Sequence, residues 1–343
     1  MKFYIGLLFI LLCSWGARAQ QDAQFSHYMF NNLYFNPGYA GIDGQSEATL
    51  LHRSQWLGYQ GIDDGGAPLT QLFSFSHPLR LFNSPTVNSG IGAVITNDQL
   101  GPWRIFNAKL AYSYHITLQN GGTIGVGIQA GMIRQAIDGS VLRASQPNDV
   151  IVDGLSGEMS AQIQPDLAAG IFYKTPKYYA GVGLNHLGRS EFDFNVNPDS
   201  IASMLSRHMY VTAGYSVFLG RNMVLTPSTI VQTDFAQTTF NFGATLSLND
   251  EKYWGGLTLR NSIADRPVPD DGKRWASDAF VILLGMSFLD DNALKVGYAF
   301  DIVTSGVSAK NPTSHEIMLS YVLPISPVDG APPLKTPRYR HQN

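Results

Sequence analysis

The chain has 343 residues, a formal net charge of −3 and a single cysteine, Cys13. Scattered Lys and Arg in a mildly acidic chain argue against a nucleic-acid partner, and one cysteine near the start excludes a disulfide framework, thiol chemistry and a cysteine metal site. Hydrophobic content is 44% but dispersed, with 34 glycines and 12% aromatics, which suits many short strands rather than helices.

Residues 1–19 read as a secretory signal peptide. Lys2 is a short positive region, Phe3 to Cys13 an apolar core, and Ala17-Arg18-Ala19 a cleavage motif before Gln20. The apolar run is shorter than the roughly 20 residues of a transmembrane helix, and bulky Leu12 before Cys13 argues against a lipoprotein signal. The exported chain therefore begins at Gln20 and stays acidic, because Lys2 and Arg18 leave with the signal. No later stretch is long enough for an apolar membrane helix.

Residues 20–44 form an N-terminal plug or docking segment. Within QFSHYMFNNLYFNPGYAG, residues 24–41, the aromatics do not alternate as a strand requires. Phe25, Tyr28/Met29 and Leu33 recur at helical spacing, and Asn36-Pro37-Gly38-Tyr39-Ala40-Gly41 ends any helix and turns the chain toward the first strand. Phe25, His27, Tyr28, Met29, Phe30, Tyr34, Asn36, Pro37 and Tyr39 are its candidate binding residues. Two placements are open: the lumen or periplasmic mouth of a barrel, or a helix lying on the membrane's inner surface. A surface anchor carries Lys or Arg on its polar face, and this segment has neither, which favours the lumen.

From residue 45 to 323, period-two alternation recurs. Phe106, Ala108, Leu110, Tyr112, Tyr114, Ile116 and Leu118 share one face of a segment; Asn107, Lys109, Ala111, Ser113, His115 and Thr117 share the other. A soluble sandwich alternates too. Segments near the 9–11 residues of a tilted membrane strand, and short turns alternating with long polar connections, predict an all-β outer-membrane antiparallel barrel instead. The short turns include 119–122, 175–177, 220–222, 249–251 and 290–292; the long connections lie near 138–158, 188–205, 261–275 and 302–312, with 77–88 a longer loop at the short-turn end.

Strands are expected at 45–57, 67–78, 88–97, 103–119, 122–138, 159–174, 177–187, 206–220, 222–236, 238–249, 252–261, 276–289, 292–301 and 313–323. That is about fourteen, an even number, so both termini face the periplasm. Inward faces rich in Gly, Ala, Ser and Thr predict a polar, uncrowded lumen with few charges. At the closing seam, the first strand runs outward through Arg53-Ser54-Gln55-Trp56 and the last inward from His315-Glu316-Ile317. If Leu50 and Trp56 face lipid, Arg53 and Gln55 point inward; if Ile317 and Leu319 face lipid, so does Glu316. Arg53 is then expected to pair with Glu316, the alternative being two independently hydrated side chains.

Catalytic chemistry is not apparent. Gly154-Leu155-Ser156-Gly157 misses the spacing of a nucleophile elbow, and His52, His115 and His315 have no local signature of a base. No histidine pair has metal spacing, and Asp63-Asp64-Gly65 and Asp270-Asp271-Gly272 do not continue as calcium loops. No cofactor, metal or catalytic residue is assigned. Residues 324–343 form a proline-rich tail that cannot join the wall and reads equally as a loose periplasmic end or a docking arm.

Five blocks carry a resemblance: Gln24-Phe25-Ser26-x-Tyr28-Met29, Asn36-Pro37-x-Tyr39-Ala40-Gly41, Arg53-x-Gln55-Trp56, Leu294-Lys295-x-Gly297-Tyr298, and Ser314-His315-Glu316-Ile317-x-Leu319-x-Tyr321. In this order they resemble the PorP/SprF family of type IX secretion membrane proteins, with His27 and Gly38 where Gln and Ala are expected. The resemblance implies a non-enzymatic outer-membrane component of the type IX secretion and gliding machinery, set in outer-membrane lipid. It implies as partners secreted adhesin cargo and the machine's periplasmic ring and peptidoglycan-binding proteins. A passive porin or small-solute channel and an outer-membrane hydrolase are the alternatives.

Overall fold

The structure, a computed structural model, describes residues 22–57, 67–79, 87–142, 159–193, 202–220, 222–264, 275–304 and 313–323. The expected signal peptide, the proline-rich tail, the loop motifs at 63–65, 154–157 and 270–272, and most of the long connections and of 77–88 lie outside these residues.

The first half of the wall comprises β1 (Ser46–Ser54), β2 (Leu69–Leu79), β3 (Val87–Leu100), β4 (Trp103–Thr117), β5 (Thr123–Asp138), β6 (Met159–Lys174) and β7 (Tyr178–Asn185). A short excursion, β8 (Glu191–Asp193) paired with β9 (Ala202–Met204), precedes β10 (His208–Tyr215) and its continuation β11 (Val217–Phe218). The wall is completed by β12 (Met223–Thr233), β13 (Gln237–Leu248), β14 (Tyr253–Ala264), β15 (Trp275–Phe288), β16 (Leu294–Val303) and β17 (Thr313–Leu323). Each wall strand is antiparallel to its neighbours, and β1 pairs with β17. With β10 and β11 counted as one broken strand, the described residues form a closed barrel of fourteen strands.

Alternation builds the wall. In β4, Asn107, Lys109, Ala111, Ser113 and His115 are buried, while Leu110 between them is 71% exposed. Leu50, Ile95, Ile128, Ile163, Leu257, Leu284 and Ile317 are likewise exposed on their strands. A continuous apolar belt of this size has no place in water, but it is what the hydrocarbon of a bilayer contacts. Tyr178, Tyr215, Tyr253, Phe288 and Tyr321 sit exposed near the short-turn ends of their strands, forming an aromatic girdle. At the other end, 101–102 and 234–236 are also tight connections, so only some of the connections there are long.

Candidate functional site

The barrel's interior carries more charge than its small inward residues suggested, and of the two placements open for the N-terminal segment it is the lumen that the structure shows. The chain preceding β1 fills it. Three single turns follow one another: a 3-10 turn at Tyr28–Phe30, a one-turn α-helix, α1, at Asn32–Phe35, and a 3-10 turn at Pro37–Tyr39. The helical spacing is real but never sustained, because Asn36 caps a new turn by accepting the Gly38 N–H at 2.9 Å and Pro37 occupies its first position.

Phe25, Tyr28, Leu33, Tyr34 and Phe35 are all buried, packed against Leu51, Leu72, Val94, Tyr210, Trp254, Leu283 and Met318 of the wall. Aromatic edges organise the contact: Phe25 on Tyr34 at 5.3 Å, Phe35 on Tyr210 at 5.1 Å and Phe30 on Trp254 at 4.8 Å. Burial pushes the Tyr34 phenol well above its ordinary pKa, with Asp22 adding to the shift, and raises that of Tyr28 despite its hydrogen bond to Ser228.

Wall glycines let the segment's backbone lie flush. A Cβ on Gly183 would stand 2.0 Å from the Phe35 carbonyl oxygen, on Gly127 2.4 Å from Pro37, and on Gly90 2.0 Å from the Ala40 carbonyl oxygen. These positions read from sequence as small lumen residues; their smallness serves the segment rather than an aqueous path.

A charged cluster fixes the front of the segment to the closing seam. Arg53 and Glu316 are direct partners in the β1–β17 register. Arg53 Nη1 donates to Glu316 Oε2 at 3.2 Å and to Ser26 Oγ at 2.8 Å, while Nη2 reaches Asp301 Oδ2 at 2.7 Å. Arg260 reaches the same Asp301 oxygen at 3.1 Å and is oriented by Asn241 at 2.8 Å. The segment enters through its backbone: the N–H groups of Ser26 and His27 each donate to Glu316 at 2.8 Å. Two guanidinium and two carboxylate groups balance, and Ser26 Oγ bridges them by donating to Asp301 at 2.8 Å. All are nearly fully buried, the condition under which each charge needs its partner.

A second cluster holds Asp22. His186 Nε2 lies 2.9 Å from Asp22 Oδ1, and its Nδ1 lies 2.9 Å from Asp166, which Lys109 contacts at 3.2 Å. Tyr210 donates to Asp22 Oδ2 at 2.5 Å. His186 follows the last residue of β7, at the end opposite the 175–177 turn. Gly41, by contrast, touches Gly90 and Pro78 near the short-turn end. The segment therefore threads the lumen from one level to the other, and the chain reaches β1 from inside the barrel.

Other expected residues fall variously. Met29 and Phe30 are half-buried against the core; Asn36 donates to the Ile171 carbonyl at 2.8 Å; Tyr39 packs on Phe172 at 5.2 Å and donates to Asp43. Gln55 and Trp56 do not join the seam cluster. Both lie beyond the end of β1, where Trp56 has φ 53° and in–out alternation no longer applies. Their backbone N–H groups bond Pro68 O and Ser314 Oγ. His52 and His315 face outward, His315 meeting Tyr298 on the outer wall at 2.5 Å. His27 Nδ1 on Glu316 looks like half of a hydrolase dyad, but its Nε2 has no hydrogen-bond partner among the described residues and faces Trp254 and Gly297. Beyond the plug, Phe192 and Leu205 of the β7–β10 excursion pack on inward-facing Ile133 and Ile137 and roof that side.

Over residues 17–321 the chain matches the family model described as "Type IX secretion system membrane protein PorP/SprF". No curated protein matches it. Among solved structures it is similar to a Pseudomonas aeruginosa FadL homologue, with 11% identity over 83% of this chain and 92% of that one and a TM-score of 0.47. It is similar also to the Ralstonia pickettii toluene transporter TbuX, with 10% identity, 85% and 93% coverage and a TM-score of 0.42. A third is Haemophilus ducreyi BamA lacking POTRA domains 1–3, with 7% identity, 81% and 70% coverage and a TM-score of 0.44.

Proposed function

This chain belongs to the PorP/SprF family of type IX secretion system membrane proteins, and from that premise we propose that it serves the system as a non-enzymatic adaptor or anchor. Family and fold together make it an outer-membrane barrel. In the proposed reading, it holds secreted adhesins at the cell surface and engages the periplasmic ring and peptidoglycan-binding proteins at its short-turn end.

The observation that carries this reading is the filled lumen. A conduit for solute or polypeptide needs a continuous aqueous path, whereas here an apolar segment is buried along the barrel and tied by charged groups at its front. Expelling it would strip Phe25, Tyr28, Leu33, Tyr34 and Phe35 of their packing. At about 1.5–3 kcal/mol per large apolar side chain, that is a heavy cost for a gate to meet in each cycle. A plugged wall is better suited to presenting fixed surfaces to partners than to passing cargo through itself.

Deletion of the chain should leave adhesins inside the cell, and affinity capture from detergent-solubilised outer membranes should recover ring components and adhesin. Normal surface adhesin in the deletion strain would contradict the reading.

A further inference from the structure

We propose that Asp22, His186 and His208 form a site for a divalent transition-metal ion of the zinc class, which staples the front of the luminal segment to the wall. The three residues come from three places: the segment, the residue just after β7, and the first residue of β10. One ligand atom from each lies within 4.8 Å of the others. In a tetrahedral site with bonds of roughly 2.0–2.1 Å, ligand atoms stand about 3.3 Å apart. His186 Nε2 and Asp22 Oδ1 are already 2.9 Å apart, so an ion requires displacements of an ångström or so, not a rearrangement.

The surrounding groups set both imidazoles for the task. His208 Nδ1 lies 3.1 Å from the Ser206 carbonyl, which can only accept, so Nδ1 carries the proton and Nε2 offers its lone pair to the site. That lone pair accepts the Asp22 N–H at 3.2 Å, a weak bond for an ion to replace. Asp166 lies 2.9 Å from His186 Nδ1 and is itself held by Lys109. The approach is an ion pair without hydrogen-bond alignment of the ring N–H; a carboxylate at that nitrogen still favours its proton and leaves Nε2 to the ion. Tyr210 donates to Asp22 Oδ2; His186 Nε2 lies 2.9 Å from Oδ1 and 3.1 Å from Oδ2, and the His208 ring stands 3.9 Å from Oδ2, so the carboxylate lies between the two imidazoles. Two buried imidazoles and one carboxylate, three ligands to which a water would add the fourth, suit zinc or its neighbours; calcium and magnesium want more oxygen.

The test uses the purified full-length protein in detergent, stripped with chelator and titrated with Zn²⁺, and with Co²⁺ as a spectroscopic probe. The wild type should bind a single equivalent, give the visible absorption of four-coordinate Co²⁺, and show its N-terminal segment cleaved more slowly by protease when Zn²⁺ is present. His208→Ala should lose the spectrum, and Asp166→Asn should weaken binding by roughly 10–100-fold while keeping the ligands. The rival arrangement is a metal-free latch, with His186 doubly protonated between Asp22 and Asp166. Absence of stoichiometric binding in the wild type, or equal binding by wild type and a folded, heat-modifiable His208→Ala variant, would overturn the proposal; the wild-type spectrum decides if the variant does not fold.

Discussion

Arg53 and Glu316 face each other across β1 and β17, the strand pair that closes the barrel, and meet on its inner side at 3.2 Å. Glu316 also accepts the backbone N–H groups of Ser26 and His27. The carboxylate that zips the wall is thus the one that seats the plug, which couples closure of the barrel to docking of the chain preceding it.

Removing either partner leaves an uncompensated buried charge. Arg53→Ala and Glu316→Ala should each destabilise the barrel by about 3–5 kcal/mol, and the double variant by less than the sum, because the second substitution removes a charge already stranded by the first. Urea unfolding in detergent micelles, read by heat-modifiable mobility, checks this; losses that simply add would contradict it.

The flush contact at the wall glycines makes a second prediction. Valine suits a strand, so Gly127→Val and Gly183→Val should leave a folded barrel while displacing the segment, whose 30–40 region becomes protease-sensitive. Gly188→Ala, where the nearest atom to an added Cβ is Ser190 Oγ at 4.0 Å, should behave as wild type. An undisturbed segment in both valine variants would show that it does not rest against these strands.

Tyr28 separates packing from hydrogen bonding. Its hydroxyl donates to the Ser228 carbonyl at 3.1 Å, and its ring is buried. Tyr28→Phe should cost about 0.5–1.5 kcal/mol and Tyr28→Ala about 3–5 kcal/mol, measured by the same unfolding assay. Equal losses in the two variants would mean that the ring contributes nothing.

The turn lengths give the expected orientation, with the 175–177 end toward the periplasm; Asp22, at the opposite end of the lumen, then lies toward the outside, although the even strand count led both termini to be expected in the periplasm. On intact cells an impermeant maleimide should label a cysteine placed at Ser145 and spare one placed at Pro176. The reverse pattern would invert the barrel.

Much of the wall was legible because lipid on one side and a packed interior on the other impose period two on every strand. The seam pair was legible for the same reason: parity told which way Arg53 and Glu316 point, and antiparallel closure put them at one height. Parity fails where the strand stops: Gln55 and Trp56 lie beyond β1 and outside the charged cluster, while the Trp56 backbone N–H still bonds Ser314 of β17 across the seam. The charges of the lumen were also missed. Arg260, Asp301, Lys109 and Asp166 sit on different strands, and each alone looks like an isolated polar residue. They pair across strands, Lys109 with Asp166 and Arg260 with Asp301, and the threaded segment joins them, Ser26 directly and Asp22 through His186. Asp22 is separated from His186 by the whole first half of the wall, and His186 from His208 by the β8–β9 excursion, so no local spacing exists to be read.

The most direct test of a sealed, adaptor-type barrel is the current across a planar lipid bilayer holding the purified full-length protein. A lumen occupied by residues 22–45 predicts no steady conductance from the wild type, and a stable open current once Gly127→Val and Gly183→Val are combined. A wild-type protein that conducts steadily, as an open porin of this strand number does, would contradict it.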